Sequence, residues 1–151
     1  QPRVLVAARL HADATQVTLL PSAAGGSTQW TPSSGDNYAC VDETNTDDDS
    51  TYVESATNDH KDLYSLGNLS HSPTAIHAVA VTARAKKTDS GSGAVKLVMK
   101  SGSTEAIGSS EALTENQYKR FFYARGINPD TSAAWSVSDV NALEAGIKAV
   151  I

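Results

Sequence analysis

The chain has 151 residues, enough for one domain that buries roughly two-thirds of the surface its unfolded form exposes. Hydrophobic residues make up 40% and charged residues 19%, while Ser and Thr together supply about one residue in five, a mixture that favours short strands and polar loops over helices. The net charge is −5 and the main basic cluster is only Arg84, Lys86 and Lys87, which argues against binding nucleic acid, and no apolar run approaches the roughly 18 residues of a membrane span.

Residues 3–10 (RVLVAARL) alternate loosely and read as a strand or a short piece of helix, and residues 16–20 add a second apolar run. We take residues 1–18 as an arm and residues 19–151 as the folded domain. Residues 21–36 (PSAAGGSTQWTPSSGD) read as a loop rich in Gly, Ser, Pro and Thr, with Trp30 as its single buried anchor. From Asp42 to Asp62 eight of twenty-one residues are acidic, which predicts mostly exposed loop around the strand-like residues 51–54. Residues 62–66 (DLYSL) form a short strand closed by Gly67 and Asn68.

The strongest period-two signal runs over residues 76–87, where His77, Val79, Val81, Ala83 and Ala85 alternate with Ala78, Ala80, Thr82, Arg84 and Lys86. A Gly-rich turn at 89–93 follows, and then Val95, Leu97 and Met99 alternate with Lys96, Val98 and Lys100, so the two strands are predicted to form a hairpin. Residues 104–107 and 118–124 make two further strands, and Asn128, Pro129 and Asp130 a turn. Only one segment reads as helical. Ser136 with Asp139 forms a variant capping box, Val137, Val140 and Leu143 repeat near one face, and Gly146 is placed to stop a helix of about two turns before a terminal strand at 147–151. Trp135, just ahead of the cap, is expected to staple the helix to the sheet. Seven to nine short strands without helical crossovers predict an all-β, antiparallel, jelly-roll-like sandwich with one short C-terminal helix.

No phosphate loop, dinucleotide fingerprint, nucleophile elbow or zinc-protease helix is present, so neither catalysis nor a required cofactor is expected. Asp59, His60 and Asp62 are the nearest approach to a general-base arrangement, and they read more simply as solvated loop residues. His71 and His77 are separated by Pro73 and do not share a strand face. Asp47, Asp48 and Asp49, with Asp42, Glu43 and Glu54 nearby, hold enough carboxylates for calcium but lack the spacing of an EF-hand, so they are a weak metal candidate. Trp30, Tyr38, Tyr52 and Tyr64 lie in or beside loops where an exposed row would stack on sugar rings. The chain has only two Phe and one Met, however, so Trp30, Trp135, Phe121 and Phe122 are expected to supply core volume. Cys40, the one cysteine, reads as a small buried hydrophobe.

Two stretches read together carry a family signature. The first is Thr28-Gln29-Trp30-Thr31-Pro32-Ser33-Ser34-Gly35-Asp36-Asn37-Tyr38, followed by Val41-Asp42-Glu43, the acidic loop and Thr51-Tyr52-Val53. The second is Asn128-Pro129-Asp130-Thr131, then Trp135-Ser136, Asp139-Val140-Asn141-Ala142-Leu143 and Gly146-Ile147. Together they resemble structural proteins of tailed bacteriophages, over about residues 19–151. The resemblance implies a jelly-roll or lectin-like sandwich located in the virion, a non-catalytic component that decorates the capsid or tail in many copies or as a homo-oligomer, with other virion proteins as partners. A carbohydrate-binding module or adhesin that contacts host glycans is the alternative of a different class. The arm precedes the resemblance, and its Val4, Leu5, Val6 and Leu10 are too apolar to trail in water. They are expected to dock on a neighbouring protein, or else to fold back as an extra strand on their own sheet.

Overall fold

Alternation of apolar and polar residues builds two facing layers that bury one side each. The computed structural model describes residues 15–151, and the arm positions Val4, Leu5, Val6 and Leu10 lie outside the described residues. The elements in chain order are β1 (Pro21–Thr28), β2 (Thr31–Pro32), a 3-10 turn (Tyr38–Cys40), β3 (Val53–Glu54), β4 (Lys61–Leu66) and β5 (Val79–Ala85). There follow β6 (Ala94–Ser101), β7 (Thr104–Ile107), β8 (Glu111–Ala112), β9 (Lys119–Arg125), helix α1 (Val137–Asn141) and β10 (Glu144–Val150). The described residues are therefore all-β and antiparallel with one short helix, in a sandwich-like arrangement. The main sheet runs β1-β4-β10-β6-β7, with β8 also on the β6 edge; among the described residues β5 pairs only with β9, and β2 with β3.

The core lies between the main sheet and the β5–β9 ribbon. Register places Met99 beside Ala145 and Leu97 beside Ile147, and these side chains pack with Val81 and Phe121 of the ribbon. Trp135, Val140 and Leu143 complete the same cluster from the α1 region. On the opposite face of the main sheet, Leu63 and Val98 are buried although that face meets solvent. Charged side chains lie across it, with ion pairs Lys61–Glu105 at 2.5 Å and Lys100–Glu144 at 3.3 Å, and their long alkyl stems cover apolar surface.

Four expectations are corrected. Residues 21–28 are not loop but an edge strand, β1, whose register on β4 shifts twice. Small residues are needed there, because a Cβ on Gly25 would come within 2.6 Å of the Leu63 carbonyl oxygen. The predicted hairpin is absent: β5 and β6 alternate as expected but belong to different layers, since alternation fixes the buried side and not the partner strand. Gly146 does not stop the helix, which ends at Asn141 with Ala142 as its C-cap. It lies inside β10 between Leu63 and Val98, where any Cβ would collide with the Asp62 carbonyl. Phe122 is not core; it is 66% exposed, while its neighbour Phe121 is buried. The capping box is formed as predicted, with the Ser136 hydroxyl accepting from the Asp139 amide and the Asp139 carboxylate from the Ser136 amide.

Candidate functional site

Strand β5 carries the features that bear on function, because it borders three of them. Its outward face, shared with β9, presents Ala80 beside Ala124, Thr82 beside Phe122 and Arg84 beside Arg120. All six are exposed, so Phe122 stands on a flat floor of small side chains with two guanidinium groups at one end. Sequence reasoning missed this patch, because it assigned both Phe121 and Phe122 to the core, although adjacent residues of one strand point to opposite faces.

Beyond the end of β5 the acidic loop folds over the strand. Asp48 takes both Nε and Nη2 of Arg84, at 2.6 and 2.9 Å, and Asp49 takes Nζ of Lys86 at 2.6 Å. The Tyr118 hydroxyl donates to Asp49 at 2.9 Å, and its ring lies 5.1 Å from the Arg84 guanidinium carbon and 4.5 Å from the Lys86 nitrogen. Two carboxylates, two cations and one ring thus clasp the loop to the ribbon. Thr51 donates toward both Glu43 and Asp47. The candidate calcium ligands Asp47, Asp48 and Asp49 therefore point to different protein groups, and among the described residues no three His, Cys, Asp or Glu side chains converge as a metal set.

The clasp sets the local ionisation. Hydrogen bonding to Arg84 holds the Asp48 carboxyl below the usual carboxylate range, and hydrogen bonding to Lys86 and Tyr118 does the same for Asp49. Burial, helped by the bond to Asp49, pushes the Tyr118 hydroxyl up to about 12. A carboxyl depressed in the folded state stabilises above its unfolded value and loses that contribution as pH falls through the folded one. Acidification to below the ordinary carboxylate range should therefore release the loop while the core stays folded. The check is a side-chain NMR titration of Arg84 Nε–H, whose resonance should move toward that of a free guanidinium; the Asp48→Asn/Asp49→Asn double variant should show the released position already at neutral pH.

Between β5, the inner face of the main sheet and the acidic loop lies a cleft of about 1710 Å³, bordered among others by Leu66, Leu69, Ile76, Val79 and Tyr52. Trp30 is half-buried at its side, packs on the core and donates its indole N–H to the His60 carbonyl at 3.0 Å. Tyr64 is buried and donates to Asp62, so of the loop aromatics Tyr52 alone is exposed.

Sequence reasoning missed Asp62. It is fully buried, and its Oδ1 accepts from the amides of Gln29 (2.6 Å) and Trp30 (2.8 Å), while Oδ2 accepts from Asn37 Nδ2 (2.5 Å) and the Tyr64 hydroxyl (3.0 Å). Beside this carboxylate, burial pushes the Tyr64 hydroxyl up, well beyond the ordinary phenol range. The signal was present: Asp62 shares its strand parity with Tyr64 and Leu66 and so falls on the inward face. Asp59, His60 and Asp62 are not brought together as an acid–base set. Asp59 pairs with Lys148, His60 Nδ1 meets Ser55 Oγ at 3.2 Å, and Asp62 points inward. Cys40 is buried, with its thiol donating to the Ser34 carbonyl at 2.9 Å. Comparison with protein-family models, curated proteins and solved structures finds no match for this chain.

Proposed function

We propose that this protein is a non-catalytic structural component of a tailed-phage virion, holding neighbouring virion proteins on a capsid or tail through protein–protein contacts. The observation that carries the reading is the exposed Phe122, set on Ala80, Thr82 and Ala124 and flanked by Arg84 and Arg120. A rigid strand pair that presents an aromatic ring with arginines beside it has the composition of a binding hot spot, where burial of one ring contributes much of the affinity. The fold supplies the platform, and the two phage-like stretches supply the setting.

The test is incorporation into particles. Phe122→Ala should change the melting temperature little, because the ring is 66% exposed and stands on small side chains, and should lower the copy number in purified particles at least tenfold. Unchanged incorporation would remove this face from the interaction. A glycan array on the wild-type protein should be blank; binding that Tyr52→Ala abolishes would support the carbohydrate reading instead.

A further inference from the structure

Among the described residues, no backbone group of Val79–Ala85 hydrogen-bonds anywhere except to β9. Relative to the described residues, the second edge of β5 is a row of donors and acceptors seven residues long, about 23 Å at the usual rise, that pairs with no strand. That edge faces the cleft: inward Val79, Val81 and Ala83 and outward Ala80, Thr82 and Arg84 all border it, as happens when a strand is seen edge-on. The cleft thus offers an apolar floor and a strand template together. The acidic loop lies on its other side, with Asp47 and Glu54 exposed on the rim.

The chain itself contains a segment of matching chemistry. In residues 3–10, Val4, Val6, Ala8 and Leu10 share one strand face, and Arg3 and Arg9 fall on the other, which suits an apolar floor beneath an acidic rim. Residues 15–21 border the same cleft, so the polypeptide enters it at the point from which this segment departs. Only residues 11–14 separate this segment from Thr15, a reach of up to roughly 17 Å. We propose that residues 3–10 add as a strand to the free edge of β5 in the same molecule, filling the cleft and turning the two-stranded ribbon into a three-stranded sheet. The inference stands on the β5 edge and the cleft, and is independent of the virion reading.

Amide hydrogen exchange on the full chain tests it. The β5 amides that do not bond β9 should exchange as slowly as those of β9. In a Leu5→Pro/Val6→Pro double variant one of the two adjacent donors must be lost whichever way the strand faces. Exchange at the β5 edge should then accelerate at least tenfold, with β6 and β10 unchanged and the monomer mass retained. Three results would overturn the proposal: unprotected edge amides in the parent chain, protection that the proline variant leaves intact, or protection that appears only in a dimer, which would place the strand in a second copy.

Discussion

Asp62→Ala should cost roughly 4 kcal/mol or more of folding stability, because four donors converge on that carboxylate and each buried donor left without an acceptor costs about 1–3 kcal/mol. The loss is concentrated where the chain is otherwise weakly held. Gln29 and Trp30 leave β1, Asn37 opens the 3-10 turn, and Tyr64 sits on β4, so one side chain ties the segment following β1 to the main sheet. Asn37 also donates to the Trp30 carbonyl at 2.7 Å, which closes the network. Asp62→Asn keeps the shape but offers an acceptor to only one pair of donors, and should cost about 2 kcal/mol. Tyr64→Phe, which removes a single donor, should cost about 1–2 kcal/mol. Urea denaturation measures the series; an Asp62→Ala midpoint within about 1 kcal/mol of wild type would mean that water satisfies the donors and the network is not a pin.

What was legible follows from how local each signal is. The capping box needs only four consecutive residues, so Ser136 and Asp139 are read correctly from sequence. The alternation in β5 and β6 is imposed by one buried face and is equally plain. Partner choice is not local: the same alternation fits a hairpin or two opposed layers, and here β5 meets β9 forty residues later. Strand β1 was hidden for a different reason. Its Ala, Gly and Ser residues carry no hydrophobic pattern, and Gly25 is dictated by the close backbone of β4 rather than by a turn. Gly146 misled in the same way, since a glycine a few residues after a helical pattern looks like a cap until the neighbouring strand is in place. The acidic run gave its composition but not its counterions, because Arg84, Lys86 and Tyr118 are brought to it only by the fold. Phe122 shows the converse, an apolar residue that the fold leaves uncovered.

The helix end of the molecule should fail next after the Asp62 network. Trp135 is 4% exposed, packs in the core with Val140 and Leu143, bridges backbone to Ile76, and donates its indole N–H to the Arg125 carbonyl at 3.0 Å. It therefore joins α1 to the end of β9 and to the approach to β5. Trp135→Ala should cost roughly 3–5 kcal/mol, the range for deleting a large buried aromatic. Ser136→Ala, which removes only the cap, should cost about 1 kcal/mol. The order of the two separates packing from capping. The Asp139 half of the box adds a pH signature, since its hydrogen bonds from Ser136 hold its carboxyl below the usual carboxylate range. Its contribution is present above that range and lost as pH falls through the depressed value, so the Ser136→Ala difference should shrink in acid while the Trp135→Ala difference persists. Denaturation midpoints at neutral pH and in acid provide the check, and a Trp135→Ala midpoint equal to wild type would show that the helix is held by its cap and not by the indole.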